Sequence, residues 1–323
     1  MRAAENLTQA FEDAPGQIIN IVQAQTIKGF VSVYTLGLNF HGCGYGAVDE
    51  GQVIISAVRI RTHTQTEYIY DNYYKWSGIL VVLMKKILVI GDIHANYPAL
   101  KAIQSYIRSD RIDMIVNTGD LTVYSTFPNE TIQWFRKKSN SISILGNTDR
   151  LILRILKGKK LSKPRKEEKR IMYFWTSENL LADNINFLKF LPKQTNFTLC
   201  KVPIGVFHGT IADKDETLFP DAPESRFRQL AKDSPYRIHI MGHSHVPYYK
   251  IVDGVHFINP GSVGRMFDGD PRTSFAILKV SPENIDVEHF RIPYPVEAVV
   301  KGLKKNNLPV IYMKMYRKGK KLN

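Results

Sequence analysis

Met84-Lys85-Lys86-Ile87-Leu88-Val89-Ile90-Gly91-Asp92-Ile93-His94 is the stretch on which the fold turns. Ile87–Ile90 is an unbroken apolar run, the pattern of a strand covered on both faces, as in a parallel sheet between helical layers. It stops at a glycine, followed by an acid and, two residues on, an imidazole. Downstream the rhythm repeats. Pro98–Ser109 is predicted helical, with Pro98 in the first turn and Leu100, Ile103 and Ile107 on one stripe. Met114–Val116 is a second buried strand, Glu130–Lys138 a helix, Ile142–Leu145 a third strand, and Asn179–Leu191 another helix. Short strands then follow closely at Ile204–Phe207, Ile238–Met241, His256–Ile258, Phe275–Val280 and Ile285–Phe290. Alternating βα units followed by a run of strands predict an α/β fold with two mixed sheets and outer helices.

Upstream of Met84 the text differs. Periodicity is weak, Gly42, Gly44 and Gly46 cluster among polar and aromatic residues, and Val53–Arg59 is the one candidate strand. Residues 1–83 are read as an extension of uncertain structure, or as a segment ahead of a start at Met84. The catalytic domain is expected over 84–300, with 301–323 as a basic C-terminal tail.

Composition narrows the class. In 323 residues, 44% are hydrophobic and 11% aromatic, enough for a sizeable core. Cys43 and Cys200, with no CxxC spacing, exclude a disulfide framework and suggest a reducing, cytoplasmic setting. Met1–Gln17 carries Glu5, Glu12 and Asp13 where a secretory leader would be cationic. The apolar run Ile79–Met84 falls far short of the roughly 20 residues of a membrane span, so no membrane partner is expected. The net charge of +14 is local: residues 150–170 carry +8 and residues 301–323 another +8, leaving −2 for the rest of the chain. Such blocks are either solvated faces or an electrostatic lure for anions, nucleic acid included.

The chemistry gathers where strands end. Gly91-Asp92-Ile93-His94, Gly119-Asp120, Gly146-Asn147-Thr148-Asp149, Phe207-His208-Gly209 and Gly242-His243-Ser244-His245 each set a glycine beside an Asp, Asn or His. Glycine permits the tight exit and the close approach of backbone to a ligand. Oxygen and imidazole donors without thiolate suit Mn²⁺ first, with Fe, Ni, Zn or Mg as alternatives. Residues two apart in extended chain point the same way, so Asp92 with His94, and His243 with His245, can grip one ion together or divide between two. Hydrolysis of a phosphate ester needs a nucleophile at neutral pH and neutralised phosphoryl oxygens, and two ions roughly 4 Å apart supply both. The lone Asp120 is the natural carboxylate to bridge them. His41, His63, His239, His256 and His289 match no such motif, and Trp134 and Trp175 are read as core or rim.

In order and spacing these motifs resemble the signature of the calcineurin-like metallophosphoesterase superfamily. With Asn259-Pro260-Gly261-Ser262-Val263-Gly264, Asp268-Gly269-Asp270-Pro271-Arg272 and Phe275-Ala276, the chain most resembles the small prokaryotic phosphodiesterase branch related to the retromer scaffold subunit. The resemblance runs from Met84 to about Leu308. It implies a four-layer αββα sandwich of two mixed β-sheets flanked by helices. It also implies one metal on Asp92, His94, Asp120 and His245 and a second on Asp120, Asn147, His208 and His243, with Asn147 touching a phosphate oxygen. Asp120 and Asn147 are thus the expected catalytic residues; Asp149 is read as orienting a ligand, and Arg150 either as reaching substrate phosphate or as a surface residue. Many relatives carry His after that Asn; here it is Thr148, which has no useful pKa for general-acid work. The expectation is a dinuclear metal-dependent phosphoesterase, most simply a phosphodiesterase attacking in line with a hydroxide bridging the ions. The alternatives are a phosphomonoesterase, a dinucleotide polyphosphate hydrolase or a catalytically weak scaffold.

Overall fold

The structure is a computed structural model that describes residues 84–160, 162–232 and 234–323, together with the strands β1 (Ile19–Ile27), β2 (Val31–Leu38), β3 (Tyr73–Trp76) and β4 (Ile79–Val82). The expected strand at Val53–Arg59 lies outside the described residues. The chain divides into two units, Met1–Lys85 with Ser281–Glu283, and Lys86–Val280 with Asn284–Asn323. In the first, β1 pairs antiparallel with β2, and β3 antiparallel with β4.

The second unit is α/β, with two five-stranded mixed sheets. One sheet has the order β14 (Ile285–Ile292), β13 (Thr273–Val280), β5 (Lys85–Ile90), β6 (Met114–Asn117), β7 (Ser141–Ser143). The other has the order β11 (Pro247–Val252), β12 (Val255–Pro260), β10 (Ile238–Ile240), β9 (Val202–Phe207), β8 (Gln194–Leu199). Eight helices are described: α1 (Tyr97–Tyr106), α2 (Pro128–Arg136), α3 (Asn147–Leu156), α4 (Glu167–Asn179), α5 (Ala182–Phe190), α6 (Glu224–Ala231), α7 (Val296–Lys305) and α8 (Val310–Lys318).

Strand alternation builds the layers. In β5, Ile87 and Val89 join Val116, Val206, Ile240 and Leu278 in a core between the sheets. Leu88 and Ile90 point the other way, against Leu100, Ile103, Ile132 and Tyr312 of the helical layer. Phe207, Met241 and Phe257 face Phe227 and Leu230 of α6 across the second sheet. The order is therefore helix, sheet, sheet, helix, as the resemblance implies. Strands β5, β6 and β7 run parallel, as do β9, β10 and β12, so their carboxyl ends share an edge within each sheet, where α/β folds keep their ligands.

Two segments read as charge blocks are folded. Residues 150–170 contain most of α3 and the start of α4, whose Ile152, Met172 and Tyr173 are buried. The segment 301–323, expected as a tail beyond the domain, completes α7 and forms α8. Leu303, Leu308, Tyr312, Met315 and Tyr316 are buried in the same core as β5, while Lys301, Lys304, Lys305 and Lys318 are exposed. Each buried side chain of this size contributes about 1.5–3 kcal/mol, so 301–323 belongs to the domain. The helix expected over Asn179–Leu191 breaks at Leu180–Leu181, both extended, and resumes as α5.

Candidate metal centre

The donors leave their strands through strained turns. Asp92, His94, Asp120, His243 and His245 have φ of 48°, 50°, 57°, 69° and 61°, left-handed values that non-glycine residues adopt at a penalty and that cluster at functional sites. The neighbouring glycines are obligatory for space. Gly119 has φ 101°, and a Cβ on Gly146 would stand 2.0 Å from Asp120 Oδ1.

The turns converge. Asp92, His94 and His245 present ligand atoms within 4.8 Å of one another, as do Asp92, Asp120 and His208, all buried. His94 Nδ1 faces the Thr122 carbonyl at 3.4 Å, His208 Nδ1 the Thr118 carbonyl at 2.9 Å, and His245 Nδ1 the Arg265 carbonyl. A carbonyl only accepts, so Nδ1 carries the proton in each ring and Nε2 offers a lone pair. Those lone pairs meet other acceptors: His94 Nε2 lies 3.2 Å from His245 Nε2, and His208 Nε2 lies 2.9 Å from Asn147 Oδ1. Buried Asp92 Oδ1 has no hydrogen-bond donor and stands 3.4 Å from His245 Nε2. Facing acceptors with no proton between them are what a shared cation satisfies, so these residues fit divalent metal at two places. Asp120 lies between the two, with Oδ2 3.7 Å from His94 Nε2 and Oδ1 3.6 Å from His208 Nε2.

The electrostatics agree. Burial, reinforced by the Asp120 charge, pushes the Asp92 carboxyl well above the usual carboxylate range. Burial also raises Asp120, and raises Asp149 to about 6 with Asp120 adding to the shift. The imidazoles move the opposite way: burial lowers His94 and His245 well below the ordinary value, and His208 and His243 to about 4. Neutral imidazoles beside carboxylates short of counter-charge are the donor state a divalent ion requires.

Residues 84–283 match the family model described as the calcineurin-like phosphoesterase superfamily domain. The chain belongs to this superfamily. It is similar to the uncharacterized protein MJ0912 of Methanocaldococcus jannaschii, at 29% identity over 69% of this chain and 93% of the relative. Among solved structures it resembles a metallophosphoesterase from Sphaerobacter thermophilus, with 26% identity, TM-score 0.61, and coverage of 73% of this chain and 99% of that one. It also shares its fold with the hypothetical protein PH1004 of Pyrococcus horikoshii, with TM-score 0.66, 22% identity, and coverage of 73% and 99%.

Within this calcineurin-like domain the remaining expected residues fall as follows. His243 is half-buried, its ring 4.7 Å from that of His208, and its backbone N–H donates to Asp92 Oδ2 at 2.9 Å. Asp149 accepts from the N–H groups of Gly146, Leu121 and Thr122 at 3.0–3.1 Å and from the Thr122 hydroxyl at 2.7 Å, tying the Asp120 turn to the start of α3. Thr148 is buried; its N–H donates to Asp120 Oδ1 at 2.9 Å and its hydroxyl to the Thr122 carbonyl at 3.3 Å. Arg150 pairs with Asp215 at the rim. The histidines without a motif have structural partners where described: His239 with Ser234 Oγ at 2.7 Å, His256 with Tyr249 Oη at 2.7 Å, and His289 with the Asn259 carbonyl at 2.8 Å. His41 and His63 lie outside the described residues. Trp134 is buried and Trp175 packs on the helical core.

Several residues that hold the centre were not singled out in the sequence. Ser262 Oγ donates to the Asp92 carbonyl at 2.8 Å, and Asn259 Nδ2 to the Gly242 carbonyl at 2.8 Å, so the end of β12 and the loop after it staple the turns after β5 and β10. Its motif Asn259–Gly264 was read only as a mark of kinship. Thr118, Thr122 and Arg265 act on the imidazoles through backbone carbonyls, which leave no side-chain signature.

Proposed function

We propose that this protein is a dinuclear metal-dependent phosphodiesterase. The observation that carries the reading is Asp120, one carboxylate with an oxygen toward each of two clusters of inward-facing lone pairs. When bound, two divalent ions there supply an acidified water as nucleophile and neutralise the phosphoryl oxygens. The chain's own residues do the rest. Backbone carbonyls fix the imidazole tautomers, Asp149 holds the Asp120 turn, and the Asn147 amide would hold a phosphate oxygen. At position 148 Thr gives no general acid, so esters with good leaving groups are favoured over those with poor ones. Mn²⁺ is the ion to load first. A reducing, cytoplasmic setting accords with two cysteines, Cys43 and Cys200, that lack any CxxC spacing.

The test is hydrolysis of bis-p-nitrophenyl phosphate beside p-nitrophenyl phosphate, by metal-stripped protein refilled with Mn²⁺. Turnover that requires metal and favours the diester is expected. Full metal binding with neither ester cut above the Asp120→Asn background would leave a metal-binding scaffold.

A further inference from the structure

The metal centre opens on a cavity of about 1040 Å³, with Asn147 and His243 in its wall. On one side α3 contributes Arg150, Arg154 and, at its end, Lys157, spaced i, i+4, i+7 on one face. At 1.5 Å rise per residue that stripe is about 10 Å long and begins beside Asn147. Lys189 and Lys193 also line the cavity, with Lys159, Lys163 and Lys214 completing, among the described residues, eight cationic side chains against a single carboxylate, Asp215. That carboxylate is committed to Arg150 and to Lys214, the latter at 3.2 Å. Among the described residues Arg154, Lys157, Lys163 and Lys193 make no ion pair.

A simple diester carries one negative charge and needs one or two of these groups. So dense a cationic wall favours several phosphates in a small volume. Single-stranded nucleic acid is gripped by aromatic stacking as well as by charge, and among the described residues no Phe, Tyr or Trp lines this cavity. Charge, not base recognition, is what the wall offers. Its volume is also that of a small-molecule site, near the upper end of the usual range of about 300–1,000 Å³.

We propose, building on the phosphoesterase reading above, that the groove is a subsite for the additional phosphates of a compact polyphosphorylated ester. The scissile phosphate lies at Asn147 and the others sit along Arg154, Lys157, Lys189 and Lys193. These four side chains are exposed, so their replacement leaves the core intact.

The experiment uses full-length protein with saturating Mn²⁺. Calorimetry gives dissociation constants for tripolyphosphate and orthophosphate, in the wild type and in Arg154→Gln/Lys157→Gln/Lys189→Gln/Lys193→Gln. The wild type is expected to prefer tripolyphosphate by at least about tenfold, a preference that salt erodes. The variant is expected to bring the two ligands within about threefold of each other. An equal preference in both proteins would reflect chelation of the ions and would overturn the proposal. Tighter wild-type binding of a single-stranded oligonucleotide of matched charge would overturn it too. Binding is read without turnover, so a protein that cuts no ester yet shows the preference would contradict the proposed function and leave the groove assignment standing.

Discussion

The two halves of the metal centre use the same donor chemistry in different surroundings. Asp92, His94 and His245 are buried, with His245 stacked on Phe267 at 4.1 Å between centroids and Tyr124 edge-on to His94 at 5.3 Å. On the other side His208 is buried, but Asn147 and His243 are half-buried and line the basic groove. Charges interact more strongly where water is excluded. On the proposed dinuclear reading, the closed half would keep an ion and the open half would exchange one and meet substrate, with Asp120 common to both.

Removing what the halves share should do most. Asp120→Asn is expected to lower kcat/KM for the diester by at least about a thousandfold, a few kcal/mol of transition-state stabilisation, and to reduce bound metal per chain by elemental analysis. Retention of both ions would break the comparison. Next come single-half changes. His245→Ala should lose an ion that excess Mn²⁺ does not restore, with at least about a hundredfold loss of rate. His243→Ala should recover much of its activity as Mn²⁺ is raised. Equal rescue of the two would show that burial does not separate the halves.

Support residues should matter less. Asp149→Asn keeps the shape but alters the carboxylate that accepts from three N–H groups, and a 10- to 100-fold weaker metal affinity is expected, read by chelator competition. Protonation sharpens the picture of the open half. His208 and His243 titrate near 4 in the folded chain, below the ordinary 6.5. Their contribution to the stability of metal-free protein is thus complete above about pH 6.5 and lost as pH falls toward 4, because the unfolded chain takes up the protons first. The raised carboxyls of Asp92 and Asp149 act in the opposite sense, losing their contribution as pH rises from the ordinary 3.8 through their folded values. Urea titrations of wild type and His208→Gln isolate the imidazole part: the variant should lose less stability between pH 6.5 and 4, and parallel curves would contradict the assignment.

Much of this was legible in the sequence because it is local. A glycine beside a donor at the end of an apolar strand, as at Gly91-Asp92 or Gly242-His243, is written in consecutive residues, and five such turns in order mark the centre. Strands such as Ile87–Ile90, buried on both faces, pointed to two mixed sheets with outer helices, and the family resemblance implied the four-layer order. What stayed hidden depends on tertiary contact or on charge masking period. In α3, α7 and α8 the buried Ile152, Leu303 and Tyr312 are interleaved with Lys and Arg, so helices looked like solvated blocks. The polar edge strand β8 alternates exposed with half-buried residues and offers little apolar signal. The carbonyls of Thr118, Thr122 and Arg265 orient imidazoles through atoms every residue possesses.

The central claim is that two ions share Asp120, and electron paramagnetic resonance of the Mn²⁺-loaded protein tests it most directly. Two Mn²⁺ per chain, roughly 4 Å apart as in two-metal hydrolases, should give an exchange-coupled signal that Asp120→Asn abolishes. One Mn²⁺ per chain with the signal of an isolated ion, unchanged in that variant, would contradict the account.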